Sequence, residues 1–144
     1  MRAQLSPDVV TDPRYSVLEC FSGSRSLLGD LRTVWYTTPE GAQTDWHHPG
    51  AVAHDVRQAA ARREGWDTAR RARLAELERL FRREGEPVQL VLPALRVRAD
   101  RDLLLDGTHR AVAAYRADVP VTLLLFTLCG PLPDTVLPDL FRHR

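Results

Sequence analysis

The chain has 144 residues, 44% of them hydrophobic, and a formal net charge of +1, which is enough apolar material for one ordinary domain with its own core, without disulfide or metal staples. Near-neutral charge excludes a global field that would draw the protein onto DNA or an anionic membrane, so any nucleic-acid contact has to rest on a local patch. All 20 basic residues are arginines. A chain without lysine has no Schiff-base lysine and no P-loop lysine, and its cations suit bidentate recognition of phosphate or carboxylate, although GC-rich coding sequence alone also produces this bias.

The opening residues, MRAQLSPDVVTDPRY, carry no apolar stretch after Arg2, and only Cys20 and Cys129 are present. The expectation is a reducing cytoplasm, no secretory signal, and two cysteines packed as small hydrophobes within apolar strands. The longest apolar run, residues 119–129, is broken by Pro120 and Thr122 and falls far short of the roughly 20 residues a membrane helix needs. No membrane partner is expected.

In chain order, YSVLECF (15–21) and TVWYTT (33–38) read as strands separated by the turn-prone SGSRS (22–26), and PEGAQTDWHHP (39–49) is the least regular stretch. From residue 51 to about 83 the apolar spacing becomes helical, with Val52, Val56, Ala59 and Ala60, then Leu74, Leu77, Leu80 and Phe81. Gly65 divides this region into two helices, Asp67 or Thr68 caps the second, and Glu78 with Arg82 makes a favourable i, i+4 pair. VQLVL (88–92) and DLLLD (102–106) follow as strands, then a short helix over 109–117, then VPVTLLLFTL (119–128) as a buried central strand. This order predicts an α/β (α+β) fold, a compact mixed sheet with flanking helices, in a single domain. The Pro-punctuated tail, residues 129–144, is expected to wrap the surface.

The stretch LLLDGTHRAVAAY (103–115) carries the strongest chemical signal. A strand ending at Leu105 delivers Asp106 and Gly107 into a tight turn, and Thr108 is placed to cap the helix that follows. The free N–H groups of that first turn make an anion site, to which His109 and Arg110 add donors. Asp106 then serves as a magnesium ligand, a proton acceptor or an orienter of His109. The same residues also fit a turn, a cap and two solvated side chains without any ligand.

The string DGTHRAVAAY followed by VPV resembles the signature of the ParB/sulfiredoxin-like superfamily, in which a strand leads into a Gly-x-His-Arg turn and an alanine-rich helix. Upstream, LAELERLFRREGEPVQLVL is similar to the superfamily segment where a helix ends at Gly and enters a Pro-led strand. Together they cover about residues 74–128, so that 66–128 reads as a nucleotide-binding core and 1–65 as an unrecognised N-terminal half. The resemblance implies that Gly107, Thr108, His109 and Arg110 hold nucleotide phosphates, with ATP, ADP or CTP and magnesium as the cofactors and Asp106 as the metal ligand. Sulfiredoxins place a catalytic cysteine where Thr108 stands, so sulfinic-acid reduction is not expected. Only 16 residues follow Leu128 in this sequence, which sets the expectation against the helix-turn-helix module of partition proteins. The Asp-Gly-x-His-Arg branch includes free-serine kinases, which implies phosphoryl or nucleotidyl transfer to a small hydroxyl-bearing substrate. A glutamate base is then implied, with Glu78 as the leading candidate beside Glu76 and Glu84.

Other constellations carry alternatives. His47, His48, His54 and Asp55 cluster in sequence as a candidate metal site or as polar loop residues. Arg25 in the SGSRS turn is a second phosphate candidate, and Trp46 beside the histidine pair is placed to line a pocket. Eight arginines between 62 and 83, against Glu64, Asp67, Glu76 and Glu78, read either as a solvated helix face or as a nucleic-acid surface. That face belongs to the alternative reading, a non-catalytic module with a nucleotide or nucleic acid as regulatory ligand.

Overall fold

The computed structural model describes residues 3–85 and 87–144, apart from the side chain of Glu84. It is a mixed α+β fold, a seven-stranded sheet flanked by four helices. The strands are β1 (Ser16–Ser22), β2 (Arg32–Thr37), β3 (Gln43–Thr44), β4 (Val52–Asp55), β5 (Val88–Arg98), β6 (Arg101–Leu104) and β7 (Val121–Cys129). The helices are α1 (Arg25–Asp30), α2 (Val56–Ala61), α3 (Thr68–Glu84) and α4 (Thr108–Ala117). The sheet order is β1-β7-β5-β6-β2-β3, with β4 also on β2. β5 pairs in parallel with β7 and β6 in parallel with β2, while β1 with β7, β5 with β6, and β2 with β3 and β4 are antiparallel. None of the described helices is long and apolar enough to cross a membrane.

The alanine-rich composition of α4 follows from where it lies. Ala111, Val112, Ala113, Ala114 and Ala117 are all buried, because α4 packs against α1, α2 and α3 as well as β5. A helix enclosed on several sides needs small side chains to let its neighbours approach. On α3, Leu74, Leu77 and Phe81 face the core, whereas Leu80 stays 37% exposed.

Three expectations are corrected. The helical spacing that begins at Val52 starts one strand too early, since residues 52–55 pair with β2 and α2 begins only at Val56. There Asp55 accepts from the Gln58 N–H and Gln58 returns a bond to the Asp55 N–H, a capping box that sets the boundary. The cysteines are not core residues: Cys20 is exposed on the edge strand β1 and Cys129 is partly exposed, its thiol donating to the Thr127 carbonyl. The tail does more than wrap the surface, for Val136, Leu137 and Leu140 are buried members of the core.

The tail is fastened by buried polar groups. The fully buried Tyr36 donates its hydroxyl to Asp139 and lies 2.9 Å from His143 Nε2. Burial first, then the neighbouring Asp139 carboxylate, push the Tyr36 pKa upward, so the hydroxyl keeps its proton. Arg142 donates to the carbonyls of Trp46 (3.2 Å), His48 (2.7 Å), Pro49 (3.3 Å) and Ala51 (3.4 Å), tying the 45–51 loop to the end of the chain. Tyr36→Phe leaves the buried Asp139 without its hydroxyl donor and is expected to cost about 1–3 kcal/mol. Urea unfolding of the two proteins at pH 7 measures the difference, and an unchanged midpoint would contradict it.

Candidate functional site

Strand pairing decides where the turn after β6 lies. β2 and β6 run in parallel from Arg32 opposite Leu103, but β6 stops at Leu104 while β2 continues to Thr37. Trp35, three residues beyond that pairing, therefore stands beside the point where the chain leaves the sheet at residues 105–107. The Leu105 N–H donates to the Pro93 carbonyl, and its own carbonyl accepts from the Ala3 N–H.

Gly107 then enters the left-handed region with φ of 83° and opens α4 with no side chain capping it. Glycine is required there on two grounds. Its φ is unfavourable for any L side chain, and a Cβ would come 2.5 Å from a Leu92 methyl and 2.9 Å from an Arg110 guanidinium nitrogen. The second distance also places Arg110: its guanidinium folds back over the start of its own helix. Asp106 Oδ1 accepts the Gly107 N–H at 2.7 Å, which holds the turn closed. Thr108 is buried, so the expectation that its side chain caps the helix is not met; Gly107 takes the N-cap position. Asp106, Gly107, Thr108, His109 and Arg110 thus lie together in one turn at a helix N-terminus, as the sequence suggests.

His109 adds no charge at neutral pH. Burial above all depresses its pKa from 6.5 to about 4, with the positive fields of Arg70 and Arg73 among the further contributions. Its ring meets Trp35 edge-on, with centroids 4.9 Å apart. A neutral imidazole offers one donor and one acceptor, so Arg110 is the cation of the turn.

The other candidates go elsewhere. Glu78 is 8% exposed and pairs with Arg82 at 3.6 Å. Its field also opposes the burial that lowers the pKa of Arg116. Arg116 is in the last turn of α4, six residues past Arg110, or about 9 Å along the helix. Glu76 pairs with Arg73 on the exposed side of α3, and the Glu84 side chain lies outside the described residues. Arg25 attaches to the opposite end of α4, donating to the Tyr115 carbonyl and pairing with Asp118 at 3.1 Å. The histidines do not converge: His47 pairs with Asp45 and stacks on Trp46, His48 Nδ1 accepts the Gly50 N–H, and buried His54 bonds Thr37. Among the described residues no group of three or more His, Cys, Asp or Glu side chains could hold a metal ion.

Sequence reasoning missed the group that surrounds His109. Trp35 and Trp66 pack edge to face at 5.2 Å, and the guanidinium of Arg70 lies 4.1 Å from the Trp35 ring and 4.9 Å from the Trp66 ring. A signal was present, since Arg70 continues the buried stripe of Leu74, Leu77 and Phe81 backwards by one turn. An arginine on an apolar stripe is out of place unless it has an interior role.

No family model, curated protein or solved structure matches the chain.

The depressed His109 pKa predicts how stability changes with pH. Below pH 6.5 the unfolded chain takes a proton on His109 that the folded protein refuses until about pH 4, so stability falls as pH drops through that window and levels off beneath it. The contribution is on the order of 3 kcal/mol at most. His109→Gln should lose less stability than wild type between pH 7 and about 4.5, as read by urea midpoints; parallel curves would assign the loss to other groups.

Proposed function

We propose that the protein binds a nucleotide at the 106–110 turn and transfers a phosphoryl or nucleotidyl group to a small hydroxyl-bearing substrate. The observation that carries this reading is Gly107 in the left-handed conformation, opening α4 without a capping side chain, under the Arg110 guanidinium. Uncapped N–H groups and a planar guanidinium beside them suit phosphate oxygens in number and in charge. The resemblance of DGTHRAVAAY to the ParB/sulfiredoxin-like signature supports the same ligand.

Each residue then has a defined task. The Thr108 and His109 N–H groups donate to phosphate oxygens, and Arg110 offsets the charge that grows on them, which is where most phosphotransfer catalysis resides. Neutral His109 fixes an oxygen by donating one hydrogen bond. Asp106 is the carboxylate at the turn: it accepts the proton of the acceptor hydroxyl or contributes one ligand to magnesium, a metal commonly held by one or two carboxylates together with phosphates. Magnesium, when bound, supplies neutralisation of phosphate charge. Glu78 has no place in this scheme, because its ion-pair partner Arg82 and the opposite end of α4 occupy it.

Calorimetric titration of the protein with ATP, ADP and CTP plus magnesium tests the reading. Binding by at least one nucleotide is expected, weakened by tenfold or more in Arg110→Ala, which is about 1.4 kcal/mol. No heat with any of the three, or equal affinity in the variant, would overturn it.

A second reading rests on α3, where Arg71, Arg73, Arg79, Arg82 and Arg83 are exposed and Glu76, Arg79, Leu80 and Arg83 line a shallow hollow of about 390 Å³. It makes the protein a regulatory module whose nucleic-acid ligand contacts phosphates along this helix. Affinity for duplex DNA or RNA should then fall steeply between about 50 and 200 mM salt. Salt-independent binding, or none, removes this alternative.

A further inference from the structure

Arg70 is 9% exposed, and its NH1 nitrogen is buried without a hydrogen-bond partner. Its guanidinium packs against Trp35 and Trp66, so π faces rather than acceptors meet it on those sides. Asp67, the carboxylate whose field reaches it, is already engaged: one oxygen accepts the Arg70 backbone N–H and the other accepts the Gln43 amide. The Trp35 side chain has no exposed surface, and its Nε1 donor is also without a partner. These two buried donors belong to side chains in direct contact, next to the His109 ring.

A buried guanidinium that no carboxylate bonds directly is unfavourable, and the field of Asp67 and the aromatic faces compensate it only in part. Natural cores satisfy their buried donors, so two unsatisfied ones in contact need an explanation beyond packing. A purely structural role for Arg70 leaves that cost without a return, because a methionine or leucine would fill the stripe of α3 without it. An oxyanion would supply what is missing, with one oxygen to accept from Arg70 NH1 and another from Trp35 Nε1.

We infer that Arg70 and Trp35 form a buried oxyanion-binding site, separate from Arg110, that takes a phosphate or carboxylate group of a ligand. The inference deepens the nucleotide reading and rests on it only for the ligand's identity: the oxyanion is a phosphate of the nucleotide itself or a carboxylate of the acceptor substrate. Either way, the site would draw on an arginine of α3, distinct from the Arg110 of α4.

The test follows the Trp35 indole N–H resonance by heteronuclear NMR in the full chain, titrated separately with sodium phosphate, sodium acetate and ATP plus magnesium. A saturable shift with at least one is expected, weakened tenfold or more in Arg70→Gln but kept for the small anions in Arg110→Ala. A response to phosphate and not acetate assigns the nucleotide as the source, and a response to acetate assigns a carboxylate. No shift with any probe, or equal affinity in Arg70→Gln, overturns the inference. ATP binding lost in Arg110→Ala yet untouched in Arg70→Gln, with no response to phosphate or acetate, overturns it while leaving the nucleotide reading intact. Small-anion shifts that vanish in Arg70→Gln, with no nucleotide bound by any form, support it and remove the nucleotide reading. Thermal melting of Arg70→Met gives an independent check. It should melt no lower than wild type without anion and gain nothing from added phosphate or acetate, whereas a lower melting temperature would mark Arg70 as structural and overturn the site.

Discussion

The parallel pairing of β5 with β7, from Val88 opposite Val121 to Leu95 opposite Leu128, obliges the chain to travel back along the sheet between the two strands. β6 makes the first part of that return, antiparallel to β5, and α4 makes the rest. Because β6 ends beside Ala94 and β7 begins beside Val88, α4 has to start over the middle of the sheet. Its N-terminus is therefore set next to β2 and not at a free edge. α3 also leads into β5, so it runs alongside α4 with its own N-terminus at the same end. Two helix starts and the part of β2 that runs on beyond β6 meet there as a consequence of strand pairing.

That meeting point concentrates positive charge. Arg110 folds over the α4 N-terminus, Arg70 lies between two indoles, and the fields of Arg70 and Arg73 reach His109. Left alone, such a cluster destabilises the fold, and the protein limits the cost in two ways: His109 gives up its proton, and the guanidinium of Arg70 is turned onto aromatic faces. Neither device satisfies the buried NH1 and Nε1 donors. The cluster is therefore left with positive charge and two buried donors that the fold itself does not satisfy.

Both faces of β2 are put to use, and this joins the two ends of the chain. Trp35 points toward the helices, whereas Tyr36 points to the opposite face and meets Asp139 and His143 of the tail. The tail in turn holds the 45–51 loop through Arg142. Trp66, immediately after Gly65, closes the aromatic group from the loop between α2 and α3. Residues from the N-terminal half thus pack beside the candidate turn, whose motif is in the C-terminal half.

Local physics made much of this legible in the sequence. The strands at 15–21 and 33–38, the start of the strand at Val88, the Gly65 break, the Asp67 cap and the order of strand, Asp-Gly turn and helix around residues 102–117 each depend on neighbours a few positions away, and each is found within a residue or two of where the sequence puts it, although β5 runs on to Arg98 and Gly107, not Thr108, takes the N-cap of α4. The 106–110 cluster was legible for the same reason, since five consecutive residues in a turn cannot be far apart. What the sequence could not determine depends on which strands pair. Val52 reads as helical until β2 claims residues 52–55 as a strand. Glu78 is near Arg110 in any list of acidic candidates but near Arg116 in space, because α3 and α4 run side by side. Arg70 looked like one of eight solvated arginines, and only the packing of α3 over Trp35 and Trp66 turned it inward. Sequence fixes the chemistry available to each turn of chain, but the distances between Trp35, Trp66, Arg70 and His109 span 74 positions from first to last and exist only once the sheet has closed.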